Sequence, residues 1–291
     1  MNDQARLLRE QVIQSRERKP STNKKEAKAI AVMSGKGGVG KSNFSLNFSL
    51  TLQKKGYKVL LFDMDIGMAN IDILLGNTQR YSIIHLFEAG LSMNDIIQNG
   101  PEGLAYIAGG SGLKDIFHFD VRKRNHFLSQ LQELSFQYDY ILFDMGAGIT
   151  SESLQMILSC NEIILVTLCE PTAMTDAYSA LKFIHRHNQD IPFQLIINRA
   201  MNTKHANDTA DRLQSVTQQF LKRDLFHLGS LPDDKYVSKA VMEQTPFVIK
   251  YPTCQASKGL EVITTRYLNE SNSSDTKNTY TFMNKLRGLF R

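Results

Sequence analysis

Gly35, Lys36, Gly37, Gly38, Val39, Gly40, Lys41 and Ser42 carry the strongest chemical signal in the chain. Glycines at this spacing let backbone N–H groups close round a phosphate with no Cβ in the way, and a helix starting just after them adds partial positive charge. Lys41 then has the reach for the β- and γ-phosphates of a nucleotide, and the Ser42 hydroxyl can ligate Mg²⁺. Asn43, next in line, is counted with the nucleotide-binding residues. The flanks argue against a merely flexible turn. The apolar run Ala29–Met33 precedes the glycines, and Phe44, Phe48 and Leu52 follow at helical spacing.

Two further groups of carboxylates stand directly after apolar runs. Asp63 and Asp65 follow Lys58–Phe62, and Asp144 ends a run of four apolar residues, with Gly146 and Gly148 behind it. A carboxylate just past a strand end can orient and deprotonate a water that attacks a γ-phosphate. Asp63 either supports the strand end or joins the Mg²⁺ shell. Asp144 suits Mg²⁺ directly or through water. The two glycines permit a backbone N–H to approach the γ-phosphate.

These groups need a scaffold that brings strand ends together. Seven continuous apolar runs (29–33, 58–62, 104–108, 139–143, 162–168, 193–198 and 225–229) alternate with helical stretches. Runs of this kind suit strands buried on both faces. The expected fold is α/β, a doubly wound, mostly parallel sheet flanked by helices, with ligands beyond the C-terminal strand edges. The 42% hydrophobic content supports a substantial core, and no apolar run is long enough to span a bilayer. Cys160, Cys169 and Cys254 lack metal or disulfide spacing, which points to a reduced cytoplasm.

The glycine-rich loop with its second lysine resembles the deviant P-loop of the MinD/ParA family. In that family Lys36 would reach across a nucleotide-sandwich homodimer to the partner's phosphates, as an arginine finger does. The resemblance implies a slow, dimer-dependent ATPase with ATP/ADP and Mg²⁺ as ligands. Asp63–Asp72 is similar to the family's switch I, with Asp65 at the catalytic position. Asn198, at a strand end, matches the asparagine that reads adenine, and Pro232 and Asp233 match the opposite wall of the base pocket. Asp176 aligns with a position that faces the signature lysine, so it either pairs with Lys36 or merely starts a helix. The family usually reads D-x-x-x-G here, often with proline, and Met145-Gly146 departs from that pattern.

The ends of the chain differ from its middle. Residues 1–28 carry a net charge of +4 and residues 280–291 carry +3, against −2 for the rest, so the basic balance does not itself imply nucleic acid, and none is expected. Residues 1–19 read as a short amphipathic helix that folds on a partner, followed by a solvated linker to residue 28. Its Asp3, Gln4, Ala5, Leu8 and Arg9 resemble the D-Q-A-x-x-L-R element of the family's flagellar-number branch (FlhG, YlxH or FleN). In that branch the element activates the GTPase FlhF, with Gln4 at the position of the stimulating glutamine. Residues 269–279 read as a polar linker after an ATPase domain over 29–268. In 280–291 the residues Phe282, Met283, Leu286, Leu289 and Phe290 form one stripe of a basic amphipathic helix suited to an anionic membrane surface.

The reading is a cytoplasmic, peripherally membrane-associated switch ATPase of flagellar number and placement, with FlhF and flagellar switch-complex proteins as partners. A cell-division MinD and a ParA-type DNA-partition ATPase are the alternatives.

Overall fold

The computed structural model describes residues 25–65, 70–77, 81–83, 85–88, 90–109, 121–274 and 281–289. Asp3, Gln4, Ala5, Leu8, Arg9 and Phe290 lie outside them.

Among the described residues eight strands form one sheet: β1 (Lys28–Met33), β2 (Val59–Met64), β3 (Gln98–Asn99), β4 (Ala105–Ile107), β5 (Tyr140–Met145), β6 (Glu162–Thr167), β7 (Phe193–Ala200) and β8 (Phe226–Pro232). Their spatial order is β3-β4-β2-β5-β1-β6-β7-β8. All pairs are parallel except β3 with β4. The seven apolar runs thus all become strands. The short β3 is the one the sequence did not announce, because its Gln-Asn pair has no apolar signal.

β1, in the middle, pairs with β5 on one side and β6 on the other. The chain runs from β1 to β2 on one side and later from β5 to β6 on the other, and this switch in strand order opens a crevice at the C-terminal end of β1. Asp63 and Asp144 are register partners across β2 and β5, so the sheet itself sets the two carboxylates side by side. β1, β2, β5 and β6 are apolar on both faces because helices cover both. One core holds Ala29, Ala31, Phe62, Phe143 and Leu165, and the other holds Ile30, Val32, Leu61, Leu142 and Val166.

The helices among the described residues are α1 (Lys41–Lys54), α2 (Asn70–Leu75), α3 (His85–Glu88), α4 (Met93–Ile96), α5 (Val121–Ser135), α6 (Ser151–Ser159), α7 (Pro171–His187), α8 (Thr203–Leu221), α9 (Lys235–Met242), α10 (Phe247–Lys250), α11 (Gln255–Ser274) and α12 (Phe282–Leu289). None is long and apolar enough to cross a membrane. α1 lies deep, with Phe44 stacked on Phe48 and Phe48 edge-on to Tyr267 of α11.

Two expectations about the C-terminal region change. α11 continues to Ser274, so the first half of the expected 269–279 linker is helical. The amphipathic tail, expected to keep its stripe for a membrane, instead packs on its own domain. Phe282, Met283 and Leu286 are buried in the core that α5 and α6 cover. Phe282 lies 5.5 Å from Phe143 between ring centroids. The tail's cations also turn to the protein: Lys285 donates to the Cys160 carbonyl and Arg287 to Gln132. Glu26 accepts the N–H of Met283, which ties the root of the N-terminal arm to the first turn of α12. An apolar stripe demands cover, and here a groove of the same chain supplies it.

Candidate functional site

β1 delivers its C-terminal end into the glycine-rich loop. Gly38 and Gly40 have φ of +79° and +87°, a region that side chains other than glycine's rarely adopt. Gly40 is the N-cap of α1, and no side chain caps that helix. The first N–H groups of α1 are therefore presented for an anion, as a phosphate cradle requires. Gly35 is required for a different reason. A Cβ there would sit 2.2 Å from the carbonyl carbon of Asp176, so only glycine lets the loop rest against α7.

The Lys41 amine is 2.8 Å from Asp144 Oδ1 and donates to Ser42 Oγ at 3.2 Å. Ser45, one turn along α1, donates to the same Asp144 oxygen at 2.8 Å. Asp144 is fully buried, and its Oδ2 has no protein partner. A buried carboxylate oxygen left without a donor is costly, and the Lys41 amine links Asp144, through Oδ1, to the Ser42 hydroxyl. That hard-oxygen pair fits Mg²⁺, or a water on Mg²⁺, next to a phosphate.

Asp63 sits differently. Its Oδ1 accepts the N–H of Asp65 and its Oδ2 that of Ile71, so both oxygens hold the switch I backbone. Of its two expected roles, strand-end support is the one these hydrogen bonds show. Burial, together with the neighbouring Asp144, pushes its pKa up to about 7. Asp65 stands beyond the strand end, close to Gly146, and its Oδ2 accepts the Asn70 amide at 2.9 Å. Asn70 belongs to the switch I pattern, but its role as the group that orients Asp65 was not visible without coordinates.

Lys36 does not pair with Asp176. Its amine lies 2.8 Å from Glu170 Oε2 and 3.3 Å from Thr172 Oγ1, at the start of α7. Asp176 meets the loop through its main chain instead. Both side chains of the Lys36–Glu170 pair are partly exposed.

A cavity of about 190 Å³ opens beside the loop, lined among others by Gly40, Asn43, Phe44, Asn198, Pro232 and Asp233. Asn198 donates to the Val39 carbonyl at 2.8 Å, so the expected base-reading amide is anchored on the phosphate loop. The structure thus gathers Asn43, Asn198, Pro232 and Asp233 in one pocket. The apolar walls, Val237, Val241, Phe247 and Ala256, come from α9, α10 and α11 and were missed. They look like ordinary core residues in the sequence. Asp234 fixes that wall by accepting from Tyr236 and Ala256 at the starts of α9 and α11.

An uncapped helix start after glycines, a buried Lys–Asp pair and a second carboxylate across the register describe a P-loop nucleoside triphosphatase. The chain matches the family model of ParA, described as an iron-transfer P-loop NTPase (NUBPL), over residues 25–268. It belongs to the ParA/MinD family of P-loop NTPases. Among curated relatives, it is 32% identical over 234 residues to the antiactivator FleN of Pseudomonas aeruginosa, covering 80% of this chain and 84% of FleN. It is 36% identical over 224 residues to the flagellum site-determining protein YlxH of Helicobacter pylori, covering 76% of this chain and 75% of YlxH. The septum site-determining MinD of Bacillus subtilis is 31% identical, over 84% of this chain and 90% of that protein. Among solved structures, the MinC:MinD complex of Aquifex aeolicus aligns with TM-score 0.67 at 25% identity, over 84% of this chain and 96% of that one.

Proposed function

We propose that the chain is an ATP-driven switch that sets flagellar number and placement. The observation that carries the nucleotide part is the triad of Lys41, Asp144 and the uncapped start of α1, built on adjacent central strands. The flagellar part is supported by similarity to FleN and YlxH over most of the chain.

ATP binds with its phosphates on the loop N–H groups and its base against Asn198, Pro232 and Asp233. Lys41 leaves Asp144 for the β- and γ-phosphates, and the exchange keeps a charge partner for each. Mg²⁺, when bound, neutralises phosphate charge, with Ser42 and Asp144 as its holders. Asp65, oriented by Asn70, takes a proton from the attacking water. Two subunits close over two nucleotides, each supplying Lys36 to the other's phosphates; this requires Lys36 to leave Glu170. Exposed pairs of this kind contribute only about 0–1 kcal/mol, so the restraint is small.

α12 has two alternative seats. Burying Phe282, Met283 and Leu286 gains about 1.5–3 kcal/mol each, whether in the groove or in lipid. The docked tail therefore competes with an anionic membrane on nearly even terms. A dimer carrying two tails gains avidity and shifts the balance to the membrane. The N-terminal arm, through Asp3, Gln4, Ala5, Leu8 and Arg9, stimulates FlhF, and flagellar switch-complex proteins are the other partners.

GTP hydrolysis by purified FlhF with a peptide of residues 1–20 tests the flagellar branch. Stimulation that Gln4→Ala abolishes supports it. No stimulation by either peptide would move the assignment to a division-type MinD, which the similarity to B. subtilis MinD favours as second reading.

A further inference from the structure

α2 is only six residues long, yet residues from outside the helix hold it at both ends. At its start, Asp63 accepts the Ile71 N–H and Asn70 reaches back to Asp65. On its flank, Tyr106 donates to buried Asp72. At its end, the Ile73 carbonyl accepts two donors, the Gly76 N–H at 3.3 Å and the Gln244 side-chain amide at 3.0 Å.

Gln244 comes from the far side of the nucleotide pocket. It follows α9, whose Val237 and Val241 wall the cavity, and its own N–H bonds back to the Val241 carbonyl. The contact is built with some backbone strain. Gln244 has φ +48°, a left-handed conformation unusual for glutamine, and it faces Gly76 at φ +64°. A Cβ on Gly76 would come within 3.0 Å of Gln244 Oε1 and 3.2 Å of its Cβ. Two left-handed turns thus meet face to face, one closing the base-pocket helix and one closing the switch I helix.

We propose that Gln244 is a positioning residue that couples the base pocket to switch I. Movement of α9 as the base seats is passed through the Gln244 amide to the end of α2, and so to Asn70 and Asp65. The inference rests on the ATPase reading above and adds to it a path by which the base, remote from the γ-phosphate, affects hydrolysis. It makes the base matter to kcat as well as to binding.

Full-length protein tests it through Gln244→Glu, which keeps the shape but removes the donor, and Gly76→Ala, which disturbs the clasp from the other side. Losing one neutral hydrogen bond corresponds to a fall of about fivefold in kcat, with KM for ATP changed less than about twofold. Gln244→Lys, which restores a donor, should recover part of the loss. Amide exchange gives a second readout. Binding of a non-hydrolysable ATP analogue should slow exchange over residues 70–77 in the unaltered chain and not in Gln244→Glu, with equal protection of residues 35–42 in both. Unchanged kcat in both variants, equal protection of residues 70–77, or a loss confined to KM would each overturn the proposal. Failure of the ATPase reading shows separately, as no protection of residues 35–42 in the unaltered chain.

Discussion

The two ends of the central sheet obey different rules. At the C-terminal edge, glycine conformations, an uncapped helix start and a buried carboxylate oxygen without a protein donor leave groups open to a ligand. At the opposite edge, the corresponding opportunities are taken up internally. Asn161 accepts from Ala29, Glu162 pairs with Lys28, Gln194 and Tyr267, and α12 covers the apolar surface beside Cys160. One edge keeps unsatisfied groups open to a ligand, while the other holds the C-terminal helix in a groove of the same chain. Polar groups at fixed spacing announce the chemistry of their ligand. An apolar stripe announces only that it will be covered.

The largest effects belong at the first edge. Lys41→Ala removes the phosphate partner and leaves buried Asp144 with Ser45 alone, so hydrolysis should fall at least about 100-fold; a radiolabelled-phosphate release assay with the purified chain checks it. Asp65→Ala should lower kcat by about 10²–10⁴-fold while nucleotide binding persists. Equal losses of binding and turnover would mean that Asp65 holds the fold of the site and does no proton transfer.

The second edge answers to packing. Leu286→Ala deletes a fully buried side chain and should destabilise the docked tail by about 2–5 kcal/mol. Both seats of the helix are weakened together, so vesicle binding should fall as Cys160 becomes exposed. Glu26→Ala acts on one seat alone. It removes the acceptor at the first turn of α12, an effect of about 1 kcal/mol. Cys160 alkylation should speed up about fivefold with membrane affinity equal or higher. Burial pushes the Cys160 thiol far above its ordinary pKa, which makes it inert while covered. The smallest effect is expected for Glu170→Gln. A partly exposed pair contributes at most about 1 kcal/mol, so the melting temperature should barely move.

Most of the sheet and the phosphate site was legible, for physical reasons that differ by element. Strands buried on both faces must be apolar throughout, and Gly38 and Gly40 are forced by φ values that other residues resist. Lys41, Ser42 and Asp144 follow from the same constraint, since each must sit at a fixed distance from one phosphate. Contacts made across long sequence separations were not legible. Lys36 finds Glu170, not Asp176, because the main chain of α7 fills the space beside Gly35. Nearer in sequence, Asp63 spends its oxygens on the Asp65 and Ile71 amides, which no spacing rule displays either. The tail pattern is legible as amphipathic, but the groove that covers it in this structure is not, because amphipathicity does not distinguish lipid from a groove in the same chain.

The central claim is that nucleotide state decides where α12 sits, and native Cys160 reports on it directly. The measurement is its alkylation rate, followed by peptide mass spectrometry, in full-length protein with anionic vesicles and Mg²⁺ plus either ATP or ADP. Rapid labelling is expected with ATP, and slow labelling with ADP or without vesicles. Equal rates in all conditions would contradict it, and would make α12 a fixed part of the domain and no membrane switch.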